Sequence, residues 1–309
     1  MNTNSKFDIL KCKFGDKRFK IKEDLPDIGW YLYVYNENNK CIADHLQGSL
    51  EMVIDFAFEE YQIPKTNWID IKIINVVQEE IYKLLAQRAL SNFDSKKLID
   101  WAVMLMDMGF DSESLIILAG LDSDTTEERE KYFWQTIDEL GFDINRTDYE
   151  LFDSYSVYIA EEVVNKKITP MDGLIIMQDI VRSTDYCNKY IQFYEIDEDL
   201  DYLNYENNTI FNSGLTLKNA DIFIIKEFEL FLEAEKYIID DKTIALAYCE
   251  TCDKIDKAKL KNTRNWIGKV KYQTWVCRLC GSKEILHFRS QKGKEIILKR
   301  EALPKKIIQ

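Results

Sequence analysis

The spacing of apolar residues changes along the chain, and each change predicts a different kind of element. Across positions 1–70, short apolar and β-branched runs predict strands: residues 7–14 and 18–21 around Gly15-Asp16, then the aromatic run Trp30–Tyr35, which reads WYLYVY. Residues 36–39 supply turn chemistry, and residues 40–43 predict a return strand. Leu50, Val53, Ile54 and Ala57 then recur at helical spacing behind Ser49, a good N-cap residue, and Pro64 ends that helix.

From residue 71 to about 240 the helical period dominates. Residues 71–91 form one long amphipathic run. Leu98, Trp101, Ala102, Leu105 and Met108 mark a second stripe that Gly109 stops. Asp111-Ser112 caps a third helix. Thr125 with Glu128 is a capping box for a fourth, which Gly141 ends. Thr169-Pro170 opens another with proline in its first turn, and Thr216 or Asn219 opens the last. Two similar tetrapeptides recur, Met108-Gly109-Phe110-Asp111 and Leu140-Gly141-Phe142-Asp143. They hint at stacked helical hairpins, although shared capping chemistry suffices to produce them.

Strand-like segments return at residues 244–248, 271–276, 285–288 and 295–299, between Lys-rich turns. The fold class is therefore α+β and multidomain. A small N-terminal α/β domain spans 1–70, a mostly α-helical body 71–241, and a C-terminal β domain 242–309.

Charge sharpens this division. The 309 residues carry 41 Lys+Arg and 54 Asp+Glu, a formal net charge of −13. Residues 1–90 have 12 basic and 14 acidic residues, a net of −2; residues 91–241 have 12 and 34, a net of −22; residues 242–309 have 17 and 6, a net of +11. Such blocks suit different partners, or each other. With 46% hydrophobic residues, 11 Gly and 4 Pro, wholesale disorder and collagen-like repeats are excluded. The N-terminal stretch, MNTNSKFDILKCKFGDKRFK, lacks the apolar core of a signal peptide, and no apolar run reaches membrane-spanning length. The expected setting is the cytoplasm, with no membrane association and with reduced thiols.

The strongest motif is a CxxC–x24–CxxC array formed by Cys249-Glu250-Thr251-Cys252 and Cys277-Arg278-Leu279-Cys280. Each pair wraps one side of a tetrahedral ion, and two pairs supply four thiolates, the ligand set of a closed structural zinc site. Gly281 follows the second pair, where a positive φ is useful. The segment resembles a zinc ribbon over roughly residues 244–300, with one Zn2+ as its cofactor and an extended hairpin or loop in residues 254–269. His287 reads as a strand residue, and Cys12, Cys41 and Cys187 as buried structural thiols.

Basic and aromatic residues interleave between and beside the cysteine pairs. Arg264, Trp266, Lys269, Lys271, Trp275 and Arg278 are candidates for nucleic-acid binding, because cations neutralise phosphates and aromatic rings stack on bases. The competing reading has the tryptophans packing a thin ribbon core. No catalytic constellation is recognised: the two histidines, His45 and His287, fall in different domains, and the common nucleophile, zinc-protease and phosphate-loop motifs are missing. The acidic run Glu195–Asp201 starts like a calcium loop but has Tyr202 where that loop needs glycine, and it reads as a solvated acidic face.

Two stretches carry a family resemblance. Trp30–Tyr35 through Asp44-His45-Leu46-Gln47 and the helix ending at Tyr61 resembles a short domain of uncharacterised bacterial proteins. Asp111-Ser112-Glu113-Ser114-Leu115 with Ile117-Leu118-Ala119-Gly120-Leu121 resembles helical bacterial proteins, some of them immunity factors of polymorphic toxin systems. The resemblance implies an immunity role, in which the protein binds a toxin and blocks it. The missing catalytic constellation and the −22 block lead to the expectation of a non-enzymatic cytoplasmic binding protein whose acidic helical body neutralises a protein partner, a basic toxin. The alternative is a nucleic-acid-binding or regulatory protein acting through residues 242–309.

Overall fold

In the computed structural model, which describes residues 8–24, 28–90, 93–264 and 270–306, the alternating N-terminal segment forms an antiparallel meander. Its strands are β1 (Asp8–Phe14), β2 (Lys17–Glu23), β3 (Trp30–Tyr35) and β4 (Cys41–Gln47), and a short β5 (Ile69–Asp70) joins β1 at the other side. The order is β4-β3-β2-β1-β5. Period two decides the faces. Cys12, Phe19, Ile21, Leu32 and Val34 are buried against Val53 and Ala57 of α1 (Leu50–Tyr61). Ser49 caps this helix by accepting a hydrogen bond from the Met52 N–H.

Helices α2 (Ile71–Ala89), α3 (Lys96–Asp107), α4 (Glu113–Ala119) and α5 (Thr126–Leu140) follow. Ser112 and Thr125 cap α4 and α5 as the sequence predicts. The two Gly-Phe-Asp repeats end α3 and α5 by one device. Gly109 and Gly141 take φ of +87° and +68°, and the N–H groups of Phe110 and Phe142 reach back to the carbonyls of Leu105 and Ile137. This closure satisfies carbonyls that a helix end otherwise leaves bare. The two phenylalanine rings then meet, with centroids 5.7 Å apart. Shared capping and one shared contact thus account for the repeat.

By contact the chain divides into two compact units, residues 1–147 and 148–309. The second unit contains α6 (Asp148–Val164), α7 (Pro170–Ser183), α8 (Ile191–Leu203), α9 (Ala220–Ala234) and the short α10 (Asp241–Ile244). Then come β6 (Leu246–Cys249), β7 (Lys254–Lys257), β8 (Lys259–Arg264), β9 (Val270–Val276), β10 (Ile285–His287) and α11 (Gln291–Arg300). The strands form a three-stranded sheet, β10-β6-β7, and a separate hairpin of β8 and β9. The architecture is α+β. Among the described residues, no helix is long and apolar enough to cross a membrane.

Three expectations change. Residues 295–299, expected as a strand, lie in α11. Ser290 caps this helix by accepting from the Gly293 N–H, Lys299 and Arg300 suit its C-terminal end, and Ile297 and Leu298 are buried. The acidic run at 195–201 belongs to α8 and is not all solvated. Asp199 is fully buried and accepts from the N–H groups of Ile210, Phe211 and Asn212, so it pins the loop between α8 and α9. Cys12 is buried as expected, but Cys41 is exposed because it opens the edge strand β4, and Cys187 is half-buried.

Candidate metal centre

Two tight turns place the four cysteines. The first, residues 249–253, joins β6 to β7; the second, residues 277–281, follows β9 and leads to β10. In each, the residue after the second cysteine is left-handed: Asp253 at φ +54° and Gly281 at φ +77°. Each donates its N–H to the carbonyl of the first cysteine, Asp253 to Cys249 at 2.9 Å and Gly281 to Cys277 at 3.0 Å. The glycine was legible in the sequence. The aspartate was not, although Asp is one of the few side chains that tolerates this conformation. Its carboxylate accepts from Arg300 at 2.6 Å and from the Tyr248 hydroxyl at 2.7 Å, and these partners, Arg300 first, hold it below the usual carboxylate range.

The turns face each other. Ligand atoms of Cys249, Cys252, Cys277 and Cys280 all lie within 4.8 Å of one another. The Cys249–Cys280 sulfurs are 3.6 Å apart and the Cys252–Cys277 sulfurs 3.7 Å. Disulfide sulfurs sit at about 2.05 Å. A tetrahedral ion with metal–sulfur bonds of about 2.3 Å sets its sulfurs about 3.8 Å apart. The spacing fits ion ligation and not a disulfide. Backbone N–H groups of Cys280 and Leu279 bring the Cys277 thiol down to about 7 against its desolvation, whereas desolvation and the neighbouring thiols push Cys252 up to about 12. Four sulfurs gathered at this spacing are a set that one cation could hold and neutralise. Across the centre the Thr251 and Ser282 hydroxyls are hydrogen-bonded at 2.7 Å, and Thr251 also donates to Glu284 at 3.1 Å.

The ribbon is anchored on helices of its own unit. α11 packs against α9, and Lys294 on α11 pairs with Glu227 on α9, a carboxylate only 1% exposed. Burial pushes the Glu227 carboxyl up, opposed by the Lys294 ammonium. Around this pair, Lys226 meets Glu295, Lys306 meets Glu235, Arg289 donates to Asn188, and Gln291 donates to the Phe223 carbonyl. Residue 293 must be glycine here, because a Cβ would strike the His287 carbonyl. Residues 148–241 carry 7 basic and 21 acidic residues, a net of −14, against the +11 of residues 242–309. Among the described residues, Lys294 and Lys306 are the basic groups of 242–309 that pair with carboxylates of this acidic segment, so the change of sign in the sequence is in part self-complementary.

The candidates for nucleic-acid contact separate. Lys271 and Arg278 are exposed, and Trp275 is 48% exposed with its ring edge-on to His287 at 5.7 Å. Trp275 is therefore no core residue. The backbone of Arg264 ends β8, while Trp266 and Lys269 lie outside the described residues. His45 bonds the Tyr61 hydroxyl at 2.8 Å in the first unit, and His287 lies on β10 in the second. A cavity of about 700 Å³ opens in the second unit, lined by residues that include Cys187, Lys189, Glu235 and Arg289. Lys189 there is already paired with Asp153 and Glu235. No protein-family model matches the chain, and neither a curated protein nor a solved structure matches it.

Proposed function

We propose that Cys249, Cys252, Cys277 and Cys280 hold one structural zinc ion, and that the ribbon it stabilises binds nucleic acid through the β8–β9 hairpin. Zinc suits four thiolates in a closed tetrahedral set, where it supplies folding energy to a segment with little core of its own. The second half of the proposal rests on how the ribbon's positive charge is divided. Among the described residues, the basic groups of 242–309 that form ion pairs are Lys292, Lys294, Lys299, Arg300 and Lys306, all on α11 or beyond it. Lys259, Lys261 and Lys271 on the hairpin have no carboxylate partner among those residues. The same hairpin exposes Leu260, Val270, Tyr272 and Trp275, and among the described residues it pairs with no third strand. A two-stranded ribbon with cations and aromatic rings on its surface suits phosphates and unstacked bases.

The test is fluorescence anisotropy of the full chain with labelled single-stranded DNA and RNA. Replacing Lys261 and Lys271 with Gln should flatten the slope of log affinity against log salt by about 1.4, two phosphate contacts at about 0.7 each. An unchanged slope would sink the proposal. A second reading, a basic protein partner, is favoured by residues 91–147, which hold 13 acidic and 5 basic residues in a unit whose net charge is −10. Native co-purification that returns no basic protein counts against it.

A further inference from the structure

We infer that the outer face of the N-terminal sheet is a separate binding platform for single-stranded nucleic acid. The face opposite α1 carries Tyr31, Tyr33 and Tyr35, which alternate with the buried Leu32 and Val34 along β3. Register places a row of cations beside them on β2: Lys22 opposite Tyr31, Lys20 opposite Tyr33, and Arg18 opposite Tyr35. The next strand continues the pattern, with Lys11 opposite Lys20 and Lys13 opposite Arg18. Three adjacent strands thus present one row of tyrosines and two rows of cations on one face.

These groups lie at the surface. Lys11, Lys13 and Arg18 are exposed, and Lys20, Lys22 and the three tyrosines are half-buried. The rings of Tyr31 and Tyr33 stack at 5.5 Å with 26° between their planes, so the aromatic row is already ordered. Lys17, on the alternate register, turns instead to the α1 side and lies over the Tyr61 ring at 5.8 Å. The cations are segregated against the charge of their unit, which has 17 basic and 27 acidic residues. Asp44, opposite Tyr33 on β4, Asp24, just beyond β2, and Asp8, opposite Lys22 on β1, border the face, and the Lys13 side chain lies near Gly141 at the end of α5.

The combination selects the occupant. Cations alone would serve any polyanion, and an acidic peptide gains little from a row of partly exposed tyrosines. Bases stack on aromatic faces while lysines and arginines meet phosphates, and this use of a sheet surface suits unstacked single strands rather than duplex. The inference draws on a different unit from the β8–β9 hairpin and does not depend on it.

The experiment measures anisotropy of the full chain with labelled oligo-dT and oligo-U at low and physiological salt, with heparin as a base-free competitor. Tyr31→Ala with Tyr33→Ala should weaken binding by about tenfold or more, the loss of two stacking contacts, while Tyr31→Phe with Tyr33→Phe should retain it. Lys11→Gln with Lys13→Gln should lower the salt slope by about 1.4. Should the double-alanine chain fail to fold, this exposed lysine pair decides by its slope. Sheet variants that melt like the parent and bind like it overturn the inference, as does a face where lysine changes weaken binding and tyrosine changes do not. A chain that binds neither probe overturns both this inference and the hairpin reading. Loss of all binding from Lys271→Gln with Trp275→Ala alone overturns only this one.

Discussion

The two sheets of this protein are held together differently. The N-terminal sheet buries Phe19, Ile21, Leu32 and Val34 against a helix that follows it directly in sequence. The β10-β6-β7 sheet has a slighter apolar cluster, in which the buried Phe288, Ile297 and Leu298 gather half-buried neighbours such as Ile244 and Leu246. Its turns converge on four thiols, and its following helix is fixed to α9 through a buried ion pair. A sheet with an adequate apolar face is sustained by burial alone. The small ribbon has instead four converging thiols and a buried ion pair, and under the zinc proposal its stability answers to metal and to charge.

The largest effect that tests this contrast is on the centre. Cys277→Ser should lower the zinc content from one per chain to none and remove hydrogen-exchange protection from residues 244–300, because structural zinc contributes about 10–16 kcal/mol of apparent binding energy. The N-terminal sheet should keep its protection. One zinc retained by the variant would refute the ligand assignment.

Next is the dock. Glu227→Ala leaves the Lys294 ammonium buried without its partner and should cost about 3–5 kcal/mol, read from the thermal unfolding of the second unit. Glu227→Leu with Lys294→Met restores volume without charge and should recover most of that loss. A melt unchanged by the single substitution would mean that apolar packing alone seats α11. The matching change in the first unit is Leu32→Ala, at a residue with no exposure, with an expected cost of about 2–5 kcal/mol. It should melt the N-terminal sheet and leave zinc content unchanged. A fall in zinc content would erase the distinction between the two regions.

Much of this contrast was legible in the sequence, because the signals are local. The CxxC spacing announces a pair of ligand turns, Ser49, Ser112, Thr125 and Thr169 announce their helices, and WYLYVY announces a strand. What misled was equally local. Glu295-Ile296-Ile297-Leu298-Lys299 is a short apolar run that suits a strand or a helix, and only the Ser290 cap and the surface of α9 choose between them. Asp199 looked solvated because its neighbours are acidic, and its partners lie 11 to 13 residues further on.

The sequence by itself therefore determined many of the elements, the caps at Ser49, Ser112, Thr125 and Thr169, and the pairing of cysteines into two turns. Each follows from residues within a few positions of one another, where backbone sterics and hydrogen bonding act without the rest of the chain. Tertiary structure alone decided that the four sulfurs meet, since a long stretch of chain separates Cys252 from Cys277 and the convergence of the turns depends on how β6 and β10 pair. It also decided which basic groups of the C-terminal region the chain itself takes up. Lys294 and Glu227 are separated by 67 residues, and a charge count cannot tell a surface that awaits a partner from one already pressed against its own chain. The helices settle that by burying this pair, while the lysines of the β8–β9 hairpin stay at the surface.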